Sequence, residues 1–187
     1  MKVHTFKIGG IHPDENKLSN DVVTQPAPLP KQAIFPMSQH IGAPAKPVVK
    51  KGDKVKVGTM IAEAAGFVSA PIYSSVSGTV LKVDNAIDAS GYMRPAVVIS
   101  VEGDEWEESI DRSTKLETLE SHPELTPEEI VERIKKAGVV GMGGAGFPTF
   151  VKLKPAQPVD TILLNGCECE PLLTADHRLL LAYADDI

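Results

Sequence analysis

Between Pro47 and Ser100 the chain never runs far without a turn signal, and that punctuation limits its possible folds more than any other feature. The stretch "PVVKKGDKVKVGTMIAEAAGFVSAPIYSSVSGTVLKV" sets short segments rich in valine, isoleucine and threonine between breaks such as Lys51-Gly52-Asp53 and Ser77-Gly78. No unbroken helical periodicity fits between such breaks, whereas strands do. "GTVLKV" alternates with the two-residue period of a strand, and "PAVVIS" supplies a last strand closing the unit near Ser100. The pattern predicts a small β barrel or sandwich.

The flanks read differently. Residues 1–47 carry Pro13, Pro26, Pro28, Pro30, Pro36, Pro44 and Pro47, which predicts an extended arm with strands at "HTFKI" and near "AIFPM". Residues 102–132 hold twelve acids against Arg112 and Lys115, whereas residues 1–57 hold nine lysines against four acids. The acidic run reads as a solvated linker, with Trp106 as its packing anchor. Then "LTPEEIVERIKKAG" predicts a helix: Thr126 is the N-cap, Pro127 opens the first turn, and Glu129 completes a capping box. Ile130, Val131, Ile134 and Ala137 form its apolar stripe, and Gly138 ends it. "VDTILLNG" reads as a fully buried strand. A second helix is expected from Thr174 or Asp176 through "RLLLAYADDI", with Asp176 and His177 as an exposed pair at its start. The chain stops inside that pattern, as expected of a domain cut short after its first βα unit. The expected division is therefore an arm with a β module over 1–101, a linker over 102–125, and the start of an α/β domain over 126–187.

Composition excludes some functions. A net charge of −6 over 187 residues argues against a nucleic-acid partner, which calls for a basic face. No window is apolar enough to span a membrane, so the chain reads as cytoplasmic and at most peripheral to one. Cys167 and Cys169 are too few and too close for a disulfide framework and read as ordinary loop cysteines. The five histidines lie far apart, so no metal site is predicted.

The chemistry concentrates at "GVVGMGGAGFPTFVKL", five glycines in nine residues before Phe147, Pro148 and Lys152. Gly141 to Gly146 matches G-x-G-x-x-G, but the dinucleotide fingerprint requires a strand before it and a helix directly after. Here a helix precedes, and Phe147-Pro148 follows. Nor does a Lys-Ser or Lys-Thr pair follow Gly146, as a P-loop needs. On its own the motif reads as a structural turn. Its neighbours alter that reading. Lys152 is a flexible cation six residues past the last glycine. "NGCECEP" places Asn165, Glu168 and Glu170 at the carboxyl end of the expected strand, where open α/β sheets bind ligands. Backbone N–H groups for an anion, an ammonium, an amide and two carboxylates together suggest a nucleotide or flavin pocket.

"GMGGAGFPTFVKL" and "NGCECEP" resemble the FMN and NADH site of the flavoprotein subunit of respiratory complex I. With Met142, Leu153 and the "TADHRLL" tail, they are closer still to the C-subunit family of Rnf electron-transport complexes. "FKIGGIHPDENK" and the β unit are similar to that family too, so the resemblance covers nearly the whole chain. It implies that Gly143 and Gly144 approach the FMN phosphate and ribityl chain, with Lys152 on the phosphate. It implies that Asn165 and Glu168 contact the flavin, that Phe147 stacks near the nicotinamide of NADH, and that Glu170 hydrogen-bonds its amide. Met142 stands where the complex I pattern has arginine, and Cys167 where it has aspartate. The family's two [4Fe-4S] clusters are held by C-x-x-C-x-x-C-x-x-x-C-P runs, and neither run occurs in this sequence, so these 187 residues are expected to be inactive alone. The implied function is electron transport between NADH and ferredoxin in a membrane complex coupled to ion translocation, alongside other subunits.

The β unit also resembles a biotinyl or lipoyl carrier domain, a barrel-sandwich fold. The expected hairpin tip, "EAAGFVSA", has no lysine to bear a prosthetic group, so a structural or docking module is the better reading. The fold class is thus α+β: a barrel-sandwich module followed by the beginning of an α/β NADH- and FMN-binding domain. Two other functions remain open, a soluble flavoprotein like a cobalamin reductase and a non-catalytic β-sandwich scaffold. A saturable flavin or NADH affinity separates the scaffold from the rest.

Overall fold

In the computed structural model, which describes residues 13–113, 119–168 and 170–184, Lys51-Gly52-Asp53 turns the chain as the sequence predicts. Ser77-Gly78, expected as a turn, instead opens a strand, its glycine admitting the Ser100 carbonyl of the neighbouring strand where a Cβ would strike it. At Lys51-Gly52-Asp53, the Lys50 N–H donates to the Asp53 carboxylate at 2.9 Å and the Gly52 N–H to the Val80 carbonyl at 2.8 Å. The strands between such turns are β1 (Gln32–Pro36), β2 (Lys46–Pro47), β3 (Lys54–Val55), β4 (Met60–Glu63), β5 (Ile72–Tyr73), β6 (Ser77–Ile87) and β7 (Met93–Gly103). They form two antiparallel sheets, ordered β1-β7-β6-β3 and β2-β4-β5. The strand expected near "AIFPM" is β1. "PAVVIS" is the middle of the longer β7, and "HTFKI" lies outside the described residues.

The core follows from strand alternation. Val97 and Ile99 of β7 point into one cluster with Phe35, Met37, Ile61 and Val80. Ala96 and Val98, on the opposite face, bury against Ala86 of β6. The hairpin joining β6 to β7 is closed by Asp88, whose carboxylate accepts from the Ser90 and Tyr92 N–H groups. The charge asymmetry of the sequence meets at one edge of this module. Lys54 pairs with Glu102 at 2.8 Å and Lys56 with Glu105 at 2.6 Å, while the Val57 N–H donates to the Glu105 carbonyl at 2.8 Å. These pairs are exposed and fix register more than they add stability.

Helix α1 (Pro127–Lys136) begins with the expected capping box: Thr126 Oγ1 accepts from the Glu129 N–H, and the Glu129 carboxylate accepts from the Thr126 N–H at 2.9 Å. Its stripe is narrower than expected. Val131 is buried, Ile130 and Ile134 are half-buried, and Ala137 is exposed because the helix has already ended there. A short helix α2 (Thr149–Lys152) packs against α1 through the buried Phe150, which meets Phe67 edge-on at 6.2 Å.

The chain divides into two compact units. One is Pro28–Pro158; the other combines the described residues of Met1–Ala27 and Val159–Ile187. In the second unit, helix α3 (Ala175–Ala182) follows Thr174 as its N-cap residue, near the expected start, but ends at Ala182, before the end of the expected "RLLLAYADDI" run. The buried strand expected over "VDTILLNG" does not form. Ile162, Leu163 and Leu164 are 79%, 89% and 71% exposed, and no strand lies beside them among the described residues. A buried strand needs neighbours for its backbone groups and both faces. Leu179, Leu180 and Leu181 of α3 are exposed as well.

Candidate functional site

The glycine loop is a small closed excursion. Val140 and Pro148 bridge its base, the Gly141 N–H donates to the Phe147 carbonyl at 2.9 Å, and the Thr149 N–H donates to the Val139 carbonyl at 3.0 Å. Met142 to Ala145 form the exposed tip.

Its glycines answer to different demands. Gly138 (φ +70°) and Gly146 (φ +66°) occupy the left-handed region that side chains disfavour. A Cβ on Gly138 would lie 2.5 Å from the Pro71 carbonyl oxygen, and one on Gly146 would lie 2.7 Å from that of Gln39. These two seat the loop on the β module. The seat under Gly146 is itself fixed: the buried His40 ring donates from Nδ1 to the Ile41 carbonyl at 3.1 Å and accepts the Ala70 N–H on Nε2 at 3.2 Å. Gly143 and Gly144 have ordinary φ, and a Cβ on either would meet no heavy atom within 4 Å. Nothing in the fold of this unit requires glycine there.

Lys152 folds back over the loop. Its Nζ lies 3.0 Å from where a Cβ on Gly141 would stand and 5.9 Å from the centroid of the half-buried Phe147 ring. The loop therefore carries an open glycine tip, a positive charge and an aromatic ring together. That is chemistry suited to an anion attached to a planar group.

Asn165, Glu168 and Glu170 belong to the other unit. Asn165 Oδ1 accepts the Cys167 N–H at 3.0 Å, leaving its amide nitrogen without a partner among the described residues. Glu168 has partners within its own unit. Its side chain is only 11% exposed, Oε1 accepts the Asp176 N–H at 2.8 Å, and Oε2 lies 3.9 Å from Lys17 Nζ. It satisfies one N–H in the first turn of α3, a place where a carboxylate is favoured. Glu170 is exposed, its carbonyl accepting from Lys17 at 3.3 Å. Cys167 and His177 are exposed, and Cys169 lies outside the described residues. Lys17 was not picked out as a site residue from the sequence, although it closes the "FKIGGIHPDENK" stretch. Among the described residues no three acids, histidines or cysteines converge as a metal site, and no helix is long and apolar enough to cross a membrane.

Residues 4–104 match the profile of the RnfC barrel sandwich hybrid domain, in agreement with the two-sheet module just described. The chain belongs to the RnfC family. Residues 134–187, from the end of α1 through the glycine loop, match the Nuo51 FMN-binding domain. The chain is 44% identical to the C-subunit of the proton-translocating ferredoxin:NAD(+) oxidoreductase complex of Clostridium ljungdahlii, an alignment covering 96% of this chain and 39% of that protein. It is 46% identical to the C-subunit of the Na(+)-translocating ferredoxin:NAD(+) oxidoreductase complex of Acetobacterium woodii, covering 100% and 42%. With the C-subunit of the ion-translocating oxidoreductase complex of Rhodobacter capsulatus it shares 41% identity over 99% of this chain and 36% of the relative. The chain thus spans about two fifths of the length of these relatives.

Proposed function

We propose that this chain is the N-terminal part of a subunit that exchanges electrons between NADH and ferredoxin at the cytoplasmic side of an ion-translocating membrane complex, with the glycine loop holding FMN. The observation that carries this reading is the contrast within the loop. Two glycines are demanded by the backbone they touch, and two are demanded by nothing in their own unit, beside an ammonium held over the loop. Glycine that the fold does not need fits a surface that a ligand approaches closely.

In this reading the backbone N–H groups at Gly143 and Gly144 hold the FMN phosphate and ribityl chain, and Lys152 neutralises the phosphate charge. Asn165 offers its free amide to the flavin ring edge. Glu168 acts on the flavin indirectly, by fixing the loop and α3. Phe147 provides a flat face for the nicotinamide of NADH, and Glu170 accepts a hydrogen bond from its carboxamide. Bound FMN would supply hydride acceptance and one-electron release; the protein supplies orientation and charge. Iron–sulfur centres in the longer subunit and its partner subunits would take the electrons onward.

The test is an FMN titration of the full-length protein, followed by flavin fluorescence. Saturable quenching is expected, weakened roughly tenfold or more by Lys152→Ala through loss of a charge-assisted contact. A folded protein that binds no FMN leaves the loop as a turn and the module as a scaffold.

A further inference from the structure

Glu15 to Lys17, in the proline-rich arm, grip the loop that carries Glu170. Lys17 Nζ donates to the Leu173 carbonyl at 2.6 Å and the Glu170 carbonyl at 3.3 Å, and it lies 3.9 Å from Glu168 Oε2. One step away, the Leu172 N–H donates to the Glu15 carbonyl at 2.8 Å. Leu172 has φ +71°, a conformation that leucine does not hold by preference. The loop is therefore kept in an unfavoured shape by bonds from a segment more than 150 residues earlier in the chain. Lys17 satisfies two carbonyls and faces a carboxylate, while its side chain is only 25% exposed. Its three donors suit that task, and no residue nearer in sequence does the same among the described residues.

We propose that Lys17 is a positioning residue for nicotinamide recognition: it fixes the backbone of Glu170 and the carboxylate of Glu168, so that the Glu170 side chain is the one left free for the ligand. This role rests on the reading of Glu170 given above. Its effect falls on the nicotinamide half of the dinucleotide, the half to which Glu170 is assigned.

The experiment compares NAD(+) with ADP-ribose, which lacks the nicotinamide, by calorimetry on the full-length protein. In the wild type, NAD(+) is expected to bind more tightly. Lys17→Ala is expected to weaken NAD(+) roughly tenfold, as loss of charge-assisted bonds would, while ADP-ribose stays within about twofold. Lys17→Arg should restore most of the preference, and Lys17→Ala combined with Glu170→Gln should lose little beyond Glu170→Gln alone. A preference for NAD(+) that survives Lys17→Ala overturns the proposal and leaves the Glu170 reading standing. So does an equal loss of both ligands, which would make the arm a general support. A wild type that does not distinguish the ligands overturns the Glu170 reading and the proposal together. If the alanine variant melts more than about 5 °C lower, Lys17→Gln is read in the same way.

Discussion

The β module and the segment after Pro158 contain similarly apolar stretches but bury them very differently. In β7, Val97 and Ile99 are fully buried, and Ala96 and Val98 nearly so, because neighbouring strands pair its edges and packed side chains cover both faces. In "TILLNG", the apolar side chains are exposed and no strand forms. A hydrophobic run states what a segment needs. Whether the need is met depends on which partners are present, and the Nuo51 FMN-binding profile covers only the last part of this chain.

The sharpest way to break this comparison is to truncate one side chain in each region and measure unfolding in denaturant. Ile99→Ala removes a fully buried group and should cost about 2–5 kcal/mol. Leu163→Ala, at an exposed position, should change stability by less than about 0.5 kcal/mol in this chain. A large effect at Leu163 would mean that the segment is buried in solution.

The glycine loop offers the same contrast at smaller scale. Gly146→Ala should destabilise by about 1–3 kcal/mol, through its left-handed backbone and the Gln39 carbonyl it would strike. Gly143→Ala should leave stability within about 0.5 kcal/mol and yet weaken FMN in the full-length protein. Equal destabilisation by the two changes would remove the distinction on which the proposed phosphate site rests.

The smallest of the destabilising changes belongs to the cap of α1. Thr126→Ala should cost about 1 kcal/mol. The Glu129 carboxyl is held below its usual 4.5, chiefly by the Thr126 backbone N–H and next by the Thr126 hydroxyl. Its contribution is therefore complete above pH 4.5 and is lost as pH falls through the lowered value. A melt series from pH 6 to pH 3 should lose this increment in the wild type and show less of it in Glu129→Gln.

What could be read from the sequence was what is settled locally. Lys51-Gly52-Asp53 makes its turn with neighbours three residues apart, and Thr126 and Glu129 cap each other within one helical turn. The loop motif was visible too, but not which glycines were structural. That depended on Pro71 and Gln39, which no local pattern links to Gly138 and Gly146. The motif around Glu168 points to the flavin, whereas the fold uses its carboxylate on Asp176 and Lys17. Lys17 was the least legible, since its partners lie 151 to 156 residues away.

That separation has a consequence in time. Lys17 leaves the ribosome early and Leu173 more than 150 residues later, an interval of roughly ten seconds or more at ordinary elongation rates. During that interval the β module, whose strand partners are already synthesised, can close its sheets while the part of the arm around Lys17 waits for its partners. Its run of prolines, poor at adding to a sheet edge, suits a segment that must remain available without sticking to its neighbours.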